Sequence, residues 1–224
     1  GRHHARGRPA GDDVEKSVSP VRCPWWNDAV RHLATDPVMK RLILEDTSTG
    51  MTASGDLMRS MVRAVTGQQV NNTAAVAAAR RVTEVAEAQK GDTLARGIVN
   101  AGPERLKAEA RLTATKAKAL TAIAEGWLAG TLTPDALASL TDDEILERLT
   151  ALPGVGPWTA HMILIFGLNR PDVFPVGDFG VRKACENEFG TLEAAVKASD
   201  AWTPYRTAAT WLLWRSRTKT PITY

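Results

Sequence analysis

Residues 149–178 read LTALPGVGPWTAHMILIFGLNRPDVFPVGD. Leu152, Pro153, Gly154, Val155 and Gly156 form a tight hairpin. Its glycines bracket one apolar residue, so the backbone turns sharply and no Cβ stands between their N–H groups and whatever approaches. Pro157 suits the first turn of a helix, and the apolar run behind it supplies that helix. The unpaired N–H groups at such a helix start are a ready anion site, with phosphate the obvious anion. A loop then leads to a lone carboxylate, Asp178, at the mouth of another helix. Taken alone, L-P-G-x-G fits an ordinary helical hairpin with a glycine turn equally well.

Upstream of the hairpin, Thr141 and Glu144 make a capping box, and Ile145, Leu146 and Leu149 give the helix behind it a buried face. Downstream, helices are read at 179–189, 192–198 and 204–215, the last as PYRTAATWLLWR. Earlier in the chain, Trp26, Val30 and Leu33 have helical spacing within 24–34. Asp36-Pro37 starts a helix striped by Met39, Leu42 and Ile43. After a loop at 47–55, Asp56 caps a helix carrying Leu57, Met61, Ala64 and Val65. Asn72 is read as the cap of an Ala-rich helix from 73 to about 89. Residues 91–102 read as mostly irregular, Pro103 opens a short helix, and further helices fall at 116–128 and 134–140. No strand pair, tandem repeat or sustained heptad appears. The fold class is all-α, with about ten helices.

The 224 residues suffice for one sizeable domain or two small lobes sharing a cleft. Apolar content of 44% and charged content of 24% are those of an ordinary globular chain. A net charge of +3 permits a nucleic-acid partner without demanding one. The two cysteines, Cys23 and Cys185, cannot by themselves build a zinc or iron–sulfur cage, and they point to a reducing cytoplasm. No apolar run is long enough to span a membrane. Residues 1–20 are polar and Gly/Pro-rich and read as a flexible tail, so His3 and His4 carry no functional weight.

Trp158-Thr159-Ala160 stands directly behind the hairpin, and Val173-Phe174-Pro175-Val176-Gly177-Asp178 closes the stretch. With these residues the chain resembles the helix-hairpin-helix DNA glycosylase superfamily, and within it the alkylation-repair branch of 3-methyladenine DNA glycosylase II. The resemblance spans about 56–215, including the Gln68-Gln69-Val70 segment and the closing Pro204-Tyr205-Arg206-Thr207-Ala208 helix start. It implies a two-lobed helical fold with a cleft between the lobes. Lobe one would be about 57–170, and lobe two about 21–56 plus 171–224, without the extra α+β domain some relatives carry. It further implies a monomer of the bacterial nucleoid that acts on double-stranded DNA containing damaged bases and requires no cofactor.

The resemblance also distributes roles. Asp178 is the catalytic candidate: cleaving an N-glycosidic bond builds positive charge on the sugar, and a fixed carboxylate stabilises it and can orient or deprotonate the attacking water. As a helix cap it sits where backbone N–H groups and the helix dipole favour the ionised form. Asp172 is the nearest rival carboxylate and reads as a turn residue. Trp158, Phe179 and Trp214 match base-pocket aromatics, with Trp211, Met162 and Gln69 as further lining; Trp211, one turn before Trp214, fits the core as well. His161 reads as structural. Electron-rich rings attract a base that alkylation has made cationic, and the same charge makes that base a good leaving group.

Gly154, Val155 and Gly156 would grip the DNA backbone through their N–H groups. A sodium or potassium ion would sit on the carbonyls of Thr150, Leu152 and Val155. A wedge that fills the gap left by an extruded nucleotide falls near Ala114, with Leu112 beside it, though Leu112 reads more readily as a plain core leucine. Members that also nick the strand carry lysine where this chain has Trp158, and the iron–sulfur branches need more than the two cysteines present here. The expected enzyme is therefore a monofunctional glycosylase that leaves an abasic site. Two alternatives stand beside it: a non-enzymatic module that grips DNA backbone, and a glycosylase for another lesion.

Overall fold

Nine of the twelve α-helices among the described residues begin at an Asp, Asn or Thr whose side-chain oxygen accepts a first-turn N–H. Such caps satisfy donors that have no intrahelical partner. The computed structural model of the chain describes residues 21–220, 222 and 224. The tail expected at 1–20 lies outside them. The architecture is all-α: a single isolated antiparallel bridge, Arg22 to Thr52, is the one β-type pairing among the described residues. No helix there is long and apolar enough to cross a membrane.

The helices run α1 (Trp26–Leu33), α2 (Pro37–Glu45), α3 (Leu57–Thr66), α4 (Asn72–Glu87), α5 (Leu94–Glu109), α6 (Ala114–Leu128), α7 (Pro134–Ala138), α8 (Asp142–Thr150), α9 (Pro157–Met162), α10 (Phe179–Phe189), α11 (Leu192–Ser199) and α12 (Arg206–Arg217). The strongest packings fall into two groups. In one, α4, α5 and α6 layer on each other, and α3 packs on α4, α6 and α9. In the other, α12 packs against α1, α2 and α10, and α11 lies on α10.

Three expectations shift. Residues 94–101 are helical rather than irregular, because α5 starts at the Thr93 cap and breaks only at Gly102, where φ is 74°. Gly97 brings α5 so close to α4 that a Cβ there would stand 2.4 Å from the Ala86 carbonyl. Burial of Ala95 and Ile98 in that contact overrides weak local propensity. The cap of α4 is Asn71, accepting from the Ala74 amide at 2.8 Å, one residue ahead of the expected Asn72. The last helix begins at Arg206, after a turn at Thr203 and Pro204.

A buried ion pair ties the loop after α2 to α12. Arg215 Nε donates to Asp46 at 3.2 Å, with side chains only 9% and 7% exposed. Burial alone would raise the Asp46 carboxyl. Hydrogen bonds from Ser48 and Arg215 outweigh it and hold the group below the usual carboxylate range. Its contribution to stability is therefore full above the unfolded carboxylate value of about 3.9 and is lost as pH falls through the lower folded value. Arg215→Met is expected to cost about 3–5 kcal/mol in urea denaturation and to move the acid transition to higher pH, because Asp46 then keeps its burial and loses its partner.

Candidate active site

Asp178 is the N-cap of α10, and its Oδ2 accepts the Val181 amide at 2.9 Å. Two indoles complete the clamp. Trp158 Nε1 donates to Oδ1 at 2.8 Å, and Trp214 Nε1 donates to Oδ2 at 2.8 Å. Three elements thus converge on one half-buried carboxylate: α9 from the hairpin, the start of α10, and the last turns of α12. The loop that delivers Asp178 is itself fastened to α12. Thr207 Oγ1 accepts from the Val173 amide at 2.9 Å, and Thr210 Oγ1 donates to the Val173 carbonyl at 3.0 Å. Asp172 is fully occupied elsewhere, accepting from the Arg206 backbone and from both sides of its guanidinium fork at 2.9–3.1 Å. That geometry removes it as a rival to Asp178.

Asp178 faces a cavity of about 510 Å³, within the size range of small-ligand sites. Trp158, Met162, Phe166, Trp214 and Tyr224 supply its apolar lining. Phe166 stacks on Trp214 at 5.6 Å between centroids and on Tyr224 at 4.0 Å, and the Arg63 guanidinium lies 4.5 Å over the Tyr224 ring. Burial, more than the neighbouring charges, pushes the Tyr224 phenol up to about 12.

Trp158, Trp214, Met162 and Asp178 therefore come together as the sequence implies, and three further expected lining residues do not. Phe179 is 68% exposed and points away, flanked by Lys183 and Arg217, each 5.7 Å from its ring. As the residue directly after the cap, it follows the outer face of α10. Trp211 is core: it lies edge-on to Trp26 at 6.5 Å, with its N–H aimed at Ser48. Gln69 is exposed, with φ at 55°. Its neighbour Gln68 does the structural work, donating to the Gly154 carbonyl and to Thr159 Oγ1, both at 2.9 Å.

Leu112 is buried in the core, so it cannot enter a duplex without leaving its packing. Ala114 is exposed as the first residue of α6 and offers only a methyl. His161 does not line the cavity, and burial lowers its pKa. Lys183 pairs with Glu186. Sequence reasoning missed Phe166, Tyr224 and Arg63. Phe166 sits where α9 widens into a π-helical turn, Ile163–Gly167, a change that apolar periodicity does not register. Arg63 reads as a solvated charge until its neighbours are known.

The hairpin amides divide. The Val155 N–H is already used inside the turn, donating to the Leu152 carbonyl at 3.2 Å. Those of Gly154 and Gly156 have no acceptor among the described residues, nor do the Thr150 and Val155 carbonyls have a backbone donor.

No protein-family model matches the chain. A DNA-3-methyladenine glycosylase of Schizosaccharomyces pombe is 33% identical over 162 residues, which cover 70% of each chain. The chain belongs to the DNA-3-methyladenine glycosylase family. Among solved structures, a 3-methyladenine DNA glycosylase from the same yeast, in complex with abasic DNA, is 29% identical with a TM-score of 0.72 over 86% of this chain and 98% of that one. A Bacillus halodurans DNA-3-methyladenine glycosidase is 25% identical with a TM-score of 0.71 over 84% and 88%.

The two glycines of the turn separate by geometry. Gly154 has φ at 73°, and a Cβ there would stand 2.7 Å from the Thr115 carbonyl, whereas a Cβ on Gly156 meets nothing within 4 Å. Gly154→Ala is expected to lose about 2 kcal/mol or more of stability. Gly156→Ala is expected to stay within about 0.5 kcal/mol, both read from denaturant melts.

Proposed function

We propose that the chain is a monofunctional DNA glycosylase of base excision repair that extrudes alkylated purines such as 3-methyladenine and hydrolyses their N-glycosidic bond. The observation that carries this reading is the Asp178 carboxylate, clamped by Trp158, Trp214 and the Val181 amide at the edge of an aromatic cavity. A flipped base would enter that cavity and lie against Phe166, Trp214 and Tyr224. Its bond to the sugar C1′ breaks with the electron pair leaving on the base, and water adds to C1′ and gives up a proton to solvent.

Three N–H donors occupy most of the roughly four acceptor sites of a carboxylate. They hold the Asp178 oxygens in place and leave about one acceptor site open. Its role is therefore electrostatic stabilisation of the oxocarbenium-like sugar, more than proton removal from water. Trp158, in the position where a strand-nicking relative would carry a lysine, is engaged with Asp178 and offers no amine for an imine. The product is an abasic site in an intact strand.

The two packing groups are the two lobes of this reading, α3 to α9 forming one and α1, α2 and α10 to α12 the other, and the protein acts as a monomer. The Gly154 and Gly156 amides hold a phosphate of the damaged strand. A sodium or potassium ion, where bound, would be held by the carbonyls of Thr150, Leu152 and Val155 and would add positive charge beside that phosphate.

Asp178→Asn tests the reading. Asn remains a good N-cap, so the fold survives, while the charge is lost and one indole N–H then faces an amide NH₂ or loses its acceptor. Release of 3-methyladenine under single turnover is expected to fall about a hundredfold or more, with binding to abasic duplex retained. Release at the wild-type rate would remove Asp178 from this role. Duplex binding without release by the wild type would favour a binding module.

A further inference from the structure

Among the described residues, Arg63 is the one buried charged side chain lining the cavity, and the proposed reaction does not use it. It lines the same cavity as Asp178, yet is only 8% exposed. Nη2 donates to the Asn72 side-chain carbonyl, Nε is buried with no acceptor, and no carboxylate pairs with the guanidinium among the described residues. A buried cation without a counter-ion is costly, and burial lowers its pKa. Nη1 too has no acceptor among the described residues, and Arg63 shares the cavity wall with Trp158 and Asp178. A Cβ placed on Gly67 would lie 2.8 Å from Arg63 Nη1 and 3.4 Å from Trp158 Cη2, so the guanidinium and the indole that holds Asp178 border the same glycine. The Tyr224 ring packs under the guanidinium plane.

From this geometry we infer that Arg63 is a specificity-determining residue that donates a hydrogen bond to a carbonyl acceptor on the edge of the extruded base. The inference rests on the glycosylase reading and adds which bases the pocket ranks highest. A purine with an exocyclic oxygen presents an acceptor there, whereas one with an exocyclic amine presents donors. The fixed positive charge of Arg63 opposes a cationic ring, and only the hydrogen bond to an acceptor offsets that repulsion. The pocket therefore favours 6-oxopurine lesions, such as 7-methylguanine, over 6-aminopurine lesions of the same charge, such as 3-methyladenine, relative to the same pocket without Arg63.

A single DNA sample treated with a methylating agent carries both lesions, so each supplies the control for the other. Wild type and Arg63→Met are compared for release of the two free bases, with affinity for an abasic duplex as the measure of an intact fold and backbone grip. Arg63→Met is expected to lose about tenfold or more of its 7-methylguanine release, while 3-methyladenine release is unchanged or rises and abasic-duplex affinity holds. Equal loss of both bases would assign Arg63 a structural role and overturn the inference. A weakened grip on the abasic duplex would assign it to a phosphate and overturn it as well. So would release of 3-methyladenine but not 7-methylguanine by the wild type. Release of neither base by the wild type would instead overturn the glycosylase reading on which the inference stands.

Discussion

The hydrogen bonds onto Asp178 are the point where separate parts of the chain have to agree. Trp158 is fixed by the hairpin and the start of α9, Trp214 by the far end of α12, and the Val181 amide by α10. Each donor belongs to an element held by its own packing, so the carboxylate geometry reports on all three at once. Because charge-assisted bonds are short and directional, a small displacement of any one element would loosen them. The Thr207 and Thr210 hydroxyls, which clasp Val173, act on this constraint from behind by preventing the delivering loop from moving independently of α12.

The hairpin depends on the same economy of polar groups. Gln68, at the end of α3, satisfies the Gly154 carbonyl and Thr159 together. That leaves the Gly154 and Gly156 amides as the turn's available donors and sets them on a base that does not flex with the outer loops. Gly154 is pressed so closely onto α6 at Thr115 that the turn and that helix form one support. An anion bound there would be registered against the Asp178 clamp through α9, only a few residues long.

Much of this was legible in the chain because helix caps are local chemistry. Asp36, Asp56, Thr141 and Asp178 each precede their helix as read, and Phe179–Phe189 falls where the pattern puts it. What failed was decided by distant neighbours. Gly97 looks like a breaker until α4 lies against it, and the choice between wedge and core leucine at Leu112 falls to core only with the packing in view. At the site, Phe179 shares the motif of Asp178, but one residue's step around a helix turns it outward. Phe166 enters the cavity from a widened turn whose period no apolar pattern reveals. Arg63 sits on a helix that is buried everywhere but at Arg59, and only its unpaired guanidinium marks it.

The central claim is that two indole N–H groups hold Asp178 for its work on the sugar. Trp158→Phe and Trp214→Phe each keep a ring in the cavity and remove one donor. Single-turnover release of 3-methyladenine by each variant, beside its affinity for abasic duplex, is the direct measurement. The account predicts a rate about tenfold or more lower in each, with abasic-duplex affinity unchanged. Wild-type rates in both variants would contradict it.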